Sequence, residues 1–386
     1  MDLVRERARR YLGEGMTRWL ALTVLLLLGI YVGLQVTLAI FASPPGPEPT
    51  ATSFPVVAPA ATATPTPSRT STPTTTSTST ATPSPTVTAT VTPTFTPTAT
   101  PTSTFKSRFD FRPVAVMIDN HPDARPQSGL SKADVVYEAL AEGGITRYMA
   151  IFANQDCDVV GPVRSARHYF AYWAYEFNAI LVHAGASPQG FEALASLGLP
   201  TLDNNAGTGY FWRSDAREAP HNLYTATSQQ REAAGVSDGG TLTSLEFKAD
   251  EPKREGLVSH LTLTFPDGYT VSYAYEPADN SYWRAVNGMP DVDAYLGVQL
   301  EPRNVAVLIV RNWDIPYDDK GRQELELTGG GIAYYFVDGG LVKGAWYKDS
   351  LTAQTLFLDN AGQPMRFNRG QTYIQIVPQE AEISYE

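Results

Sequence analysis

Arginine, histidine and aspartate gather at a few places in this sequence, and their side chains are of the kinds that grip anions. Asp119, Asn120 and His121 stand together, followed by Arg125 and then by Arg147, Arg164 and Arg167. A second group lies in GYFWRSDAREAPHNLYT, which carries Arg213, Arg217 and His221, while His183 stands between the two in VHAGASPQG. Guanidinium forks bind phosphate or carboxylate bidentately, and a neighbouring carboxylate or imidazole can move a proton or hold a cation. Together these residues form the candidate ligand-binding set. The competing expectation is structural: the same arginines could pair with Glu138, Glu142, Asp134 or Asp215 in ion-pair networks.

Elements that place such groups can be read from the pattern. The apolar run Val114 to Ile118 predicts a buried strand that delivers Asp119, Asn120 and His121 at its C-terminal end. Ser131 as a cap, Asp134 three positions on and Gly143-Gly144 as a stop predict a helix of about ten residues between them. Tyr148 to Ala153 reads as a second strand. Gly161-Pro162 is expected to open a helix with Arg164 and Arg167 on one face of its N-terminus, where unpaired N–H groups favour an anion. The aromatic stretch SARHYFAYWAYEF continues it, with Tyr169, Tyr172, Trp173 and Phe177 covering the sheet. Ala179 to Val182 is a third strand ending at His183, and Ser187-Pro188 caps a helix that runs through Leu197.

After about Thr241 helical periodicity is lost. Segments 257–264, 269–275, 304–311, 324–327, 331–337, 341–346 and 372–377 are rich in Val, Thr, Tyr and Ile and are parted by turns such as Pro266-Asp267-Gly268. The expected fold class is therefore α+β: an α/β domain over 105–240 carrying the anion site, then a mostly β domain over 241–386, sandwich or barrel. Trp283, Trp313, Trp346 and Tyr347 read as core or hairpin residues, and any that are exposed would suit stacking on sugar rings.

The first hundred residues are of a different kind. Residues 1–18 form a basic segment with Arg5, Arg7, Arg9, Arg10 and Arg18, followed by an uncharged, mostly apolar run over 19–42. About 20 such residues span a bilayer, and the positive flank stays cytoplasmic, so the run reads as a transmembrane signal anchor that sends the C-terminus outside. Residues 43–104 are almost entirely Pro, Thr, Ser, Ala and Val, with Glu48 and Arg69 the only charges, which predicts a disordered, extended stalk. The whole chain of 386 residues has 29 Lys and Arg against 40 Asp and Glu, a net of −11; residues 1–104 hold six of the former and four of the latter, leaving −13 on the rest. That balance excludes nonspecific nucleic-acid binding, which rests on many cationic phosphate contacts. An anion site in such a domain has to be local.

Other chemistries are poorly served. Cys157 is the sole cysteine, so no intramolecular disulfide forms, and it reads as an ordinary small residue beside a strand. Ser187 has histidines within the domain but no G-x-S-x-G elbow, and serves more economically as a helix cap. Histidines 121, 168, 183, 221 and 260 show no zinc-binding spacing, so no metal or other cofactor is expected.

The wording IDNHPDARPQSGLSKADVVYEALAEGGITRY, then VGPVRSARHYF, VHAGASPQG, APHNLYT, GGGIAYYFVDGGLVKGAWYKDS and GQTYIQIVP, resembles the YerB-like family of bacterial envelope proteins. These segments span most of residues 110–380. The resemblance implies the family's fold and membrane attachment but no established activity, since its members are described as lipoproteins of unknown function. No cysteine lies near the end of the apolar run, so the anchor is expected to be the helix itself rather than a lipid. The expected protein is a single-pass cell-membrane protein with an extracytoplasmic C-terminal part. It would bind an anionic glycan or lipid-linked phosphate of the cell envelope without catalysis. The alternatives are a metal-assisted phosphotransferase or hydrolase using Asp119, loosely like the LytR-CpsA-Psr transferases, and a protein-interaction scaffold.

Overall fold

The structure, a computed structural model, describes residues 112–236 and 245–386. The basic segment 1–18, the anchor expected over 19–42 and the stalk expected over 43–104 lie outside the described residues. No helix among the described residues is long and apolar enough to cross a membrane.

Val114–Asp119 forms β1, with all six side chains buried because the strand sits inside a sheet covered on both faces. Val135–Glu142 forms β2 and Ile145–Phe152 forms β3. Ile180–His183 and Thr201–Asp203 form β4 and β5. Helix α1 is His168–Glu176, α2 is Pro188–Leu197 and α3 is Thr227–Ala234. Across a ten-stranded sheet the order is Leu356–Leu358, Gly340–Lys348, Gly329–Val337, Asn304–Ile309 and Thr372–Val377, then β2, β3, β1, β4 and β5. Thr372–Val377 runs parallel to β2 on one side and to Asn304–Ile309 on the other. A second sheet of five strands includes His260–Thr264, Thr270–Glu276, Ser281–Val286 and the terminal Glu382–Tyr385.

Alternation along the strands divides the core into layers. Ala115, Met117, Tyr137, Met149 and Ile151 face α1 and α2, where Tyr169, Trp173 and Phe177 pack as expected. The same layer continues through Ala306, Leu308, Tyr335 and Phe357. On the opposite face Val305, Val307 and Phe336 pack against Leu261, Leu263 and Tyr273 of the five-stranded sheet.

Two expectations are corrected here. The segment from Ser131 to Glu142 is no helix: a short 3-10 turn, Leu130–Lys132, leads into β2. The supposed capping residues bind elsewhere, Ser131 through its N–H and hydroxyl to Asp293 at 2.9 and 2.7 Å, and Asp134 to the backbone of Ala153 at 2.7 Å. Gly143 and Gly144, both at positive φ (56° and 72°), make the two-residue turn of the β2–β3 hairpin rather than a helix stop. Nor is the C-terminal β part a separate sandwich or barrel. Its strands split between the five-stranded sheet and the large sheet, and the described residues fall in one compact unit, Thr88–Glu386, that crosses position 240.

Candidate functional site

β1 ends at Asp119, whose N–H donates to Pro162 O at 2.8 Å, and Pro122 follows at once to turn the chain. Successive residues at a strand end face opposite ways. Asp119 is nearly buried and takes two partners at one oxygen: the His221 ring Nδ1 lies 2.8 Å from Oδ2, and Arg164 Nε lies 3.2 Å from the same atom. Oδ1 accepts the His121 N–H at 3.0 Å. The His121 and His221 rings stack at 4.6 Å with 18° between their planes. Thus Asp119, His121, Arg164 and His221 converge.

What brings a residue 102 positions away onto Asp119 is Arg217. Its guanidinium donates to Ala124 O and Pro126 O, both at 2.5 Å, and so ties the loop that bears His221 onto the turn that bears His121. Arg213 donates to Asn222 Oδ1 at 2.7 Å, and the Asn222 amide in turn donates to the Ser214 and Arg217 carbonyls. Arg213 therefore holds the loop's own shape, while Arg217 fastens the loop to the turn after β1.

Asn120 turns the other way. Its amide nitrogen lies 2.7 Å from Thr146 Oγ1 and 2.9 Å from the Tyr269 hydroxyl, and its oxygen accepts from Arg125 Nε at 2.9 Å. Arg125 also lies over the Tyr269 ring, 5.1 Å from its centroid. These side chains, with Asp267 and Asn287, line a cleft of about 210 Å³. Beneath it Glu138 and Arg284, both fully buried, pair at 2.6 Å, with Tyr269 donating to Glu138 at 2.7 Å and Asp291 taking the other end of Arg284.

The remaining expected site residues are held by other partners, although Arg147 stands directly across from Asp119 in the β1–β3 pairing. Arg147 and Arg167 both pair with Glu142, as the ion-pair reading anticipated. Burial and the adjacent Arg167 push the Arg147 guanidinium down to about 10, against the pull of Glu142. Arg164 and Arg167 do not share a helix face, because residues 161–166 are extended and α1 begins only after Arg167. His183 is buried within β4, its Nδ1 2.9 Å from Gly185 O and its Nε2 2.5 Å from Thr201 Oγ1. Burial lowers its pKa, opposed by Asp203. Ser187 accepts the Gly190 N–H at 3.0 Å, the expected cap. Of the aromatics, Trp346 is buried and Tyr347 partly buried, while Trp283 and Trp313 are 44% and 41% exposed.

Asp123, Tyr269 and Arg284 were absent from the sequence-derived set. Arg284 sits in an alternating strand, YWRAV, where an inward-facing arginine could have been picked out by its parity with Tyr282 and Val286.

Residues 99–239 match the model described as "Protein of unknown function (DUF3048) N-terminal domain", and residues 261–374 match the corresponding C-terminal domain. These two models part close to the boundary expected at 240, although the sheet spans it. The chain is 35% identical to "Putative lipoprotein YerB" of Bacillus subtilis (strain 168) over 274 residues, 69% of this chain and 81% of that protein. The crystal structure of YerB protein from Bacillus subtilis superposes with a TM-score of 0.63 at 34% identity, covering 72% of this chain and 94% of that one. A chain with these matches at both halves, and with the fold that accompanies them, belongs to the YerB-like DUF3048 family.

Proposed function

We propose that this protein is a membrane-anchored extracytoplasmic protein that binds an anionic group of the cell envelope, a glycan or lipid-linked phosphate, at the C-terminal end of β1. Arg164 carries the reading. Among the described residues its terminal nitrogens make no hydrogen bond, its side chain is 29% exposed, and its single charged neighbour is Asp119 through Nε. Arg147, Arg167 and Arg217 are by contrast already committed to Glu142 or to backbone carbonyls. His221 Nδ1 and Arg164 Nε meet at the same Asp119 oxygen, so the imidazole stands beside the guanidinium at the mouth of the site. The anchor expected over 19–42 and the lipoprotein description of the relative support a place at the membrane.

The test is a thermal-shift series on the purified full-length chain with phosphate, pyrophosphate and polyprenyl-phosphate head-group analogues. A ligand present at 100 times its dissociation constant adds about 2.7 kcal/mol to stability. The expected shift disappears in Arg164→Ala, and a flat series for a folded chain overturns the reading. A second reading, acid–base catalysis on the same ligand, is favoured by the 2.8 Å Asp119–His221 contact, which fixes one imidazole nitrogen and leaves the other for a proton. Turnover lost in Asp119→Asn with binding retained would select it.

A further inference from the structure

His121, Asp123 and His221 offer one donor atom each, all within 4.8 Å of one another. Two further features bear on this cluster. Asp119 holds His221 by Nδ1 at 2.8 Å, leaving Nε2 as the donor; a carboxylate behind a ligating imidazole is the arrangement that fixes ring orientation and raises ligand basicity in metal sites. Asp123 Oδ2 lies 3.5 Å from His121 Nδ1, close to the edge of about 3.3 Å that bonds of about 2.0–2.1 Å give in a tetrahedron. Shrinking the widest separation to that edge requires movement only of His121 and Asp123, whose side chains are 36% and 73% exposed. His221 is pinned. The Asp123 N–H bond to His121 Nδ1 that must open is long, 3.2 Å, and exposed.

We infer that these three residues form a divalent transition-metal site, best matched to Zn²⁺, with Asp119 as its positioning residue. Two imidazoles and one carboxylate are borderline donors of the kind zinc takes, and three protein ligands leave a fourth position open. Calcium and magnesium, which prefer all-oxygen shells, fit it poorly. The His121 and His221 rings, stacked 18° from parallel, must part for both nitrogens to meet one ion in their ring planes, and His121, the more exposed ring, is the one that turns. The site adjoins Arg164, yet it needs no anion to form.

The experiment is calorimetric titration of ZnCl₂ alone into the full-length chain, stripped with chelator and exchanged into phosphate-free buffer. One zinc per chain is expected. His121→Ala and His221→Ala should each weaken binding at least tenfold, and Asp119→Asn about 10–100-fold while leaving every first donor in place. Cobalt(II) in place of zinc should give the visible absorption of a tetrahedral centre, lost in the same variants. Circular dichroism of each variant separates a lost ligand from a lost fold, and His121→Gln at the exposed rim serves if the His221 variant does not fold. Absence of zinc-dependent heat, or binding undiminished in both His121 variants, overturns the assignment. Because no phosphate is present, that failure is distinct from failure of the anion reading.

Discussion

Replacing Glu142 by glutamine tests whether Arg147 and Arg167 are structural partners rather than ligand-binding groups. One carboxylate here serves two guanidiniums: Oε1 takes Arg147, and Oε2 takes Arg167 through Nε at 2.9 Å and through its terminal nitrogen. The arginine side chains are 4% and 6% exposed and the glutamate 25%. Breaking a buried pair costs about 3–5 kcal/mol because the remaining charge stays buried and uncompensated. Glutamine keeps one acceptor oxygen, and each arginine keeps a backbone carbonyl, Ser165 O or Ala166 O, at 2.8 Å. Partial access to water lowers the cost further, so the expected loss is about 2–3 kcal/mol. Urea unfolding of the full-length chain, followed by tryptophan fluorescence, measures it as a shift in midpoint at unchanged slope. Removing one of the two stranded cations as well, in Glu142→Gln/Arg147→Met, should cost at least about 1 kcal/mol less than the sum of the single changes. A single-variant loss below about 0.5 kcal/mol, within the range of ordinary surface substitutions, would refute the reasoning.

Three further outcomes are expected. His183, whose pKa burial lowers from 6.5, favours the neutral ring in the folded chain; its contribution is fully present above 6.5 and is lost as pH falls through the folded value. The stability difference between the wild type and His183→Gln should therefore shrink on acidification below 6.5, and parallel curves in urea melts across that range would contradict it. Cys157 is buried and its thiol is pushed up to about 11 by burial, so at pH 8 roughly one molecule in 1,000 is thiolate. A thiol reagent should label the native chain over 100-fold more slowly than the urea-unfolded chain, and comparable rates would show the thiol to be open. Gly144→Ala should cost about 1–2 kcal/mol, because the residue sits at φ +72° and a Cβ there meets the Asp267 carboxylate. An unchanged thermal midpoint would show that the hairpin turn is not strained by a side chain.

Strands were legible wherever side chains and turns agreed. VAVMID and the Val/Thr/Tyr/Ile-rich C-terminal segments lie close to their expected positions because burial and β-propensity point the same way there. VVYEALAE deceived because Glu, Ala and Leu favour a helix, whereas the strand is imposed by neighbours, β3 on one side and Thr372–Val377 on the other. At the site, strand-end logic found Asp119 and His121. It could not tell Arg164, left with free nitrogens, from Arg167, three residues on and committed to Glu142, because the partner is chosen by where β2 ends. The His121–His221 pair was invisible to spacing rules, which look for ligands on one helix or turn. Here the pairing depends on Arg217 fastening one loop to another.

The strand Thr372–Val377 also sets a timetable. Glu138 on β2 bonds Gln375 across 237 residues of chain, and Asn304–Ile309 needs the same strand on its other edge. Chains grow from the N-terminus at about 5–20 residues per second, so β2 waits roughly 12–50 s for its neighbour. Throughout that interval an apolar strand presents an unpaired edge, open to the wrong partner. A product ending before Thr372 never receives the strand that joins the two halves of the large sheet. Premature termination late in the message is thus as damaging to the Asp119 end of the molecule as to the distant end where translation stopped.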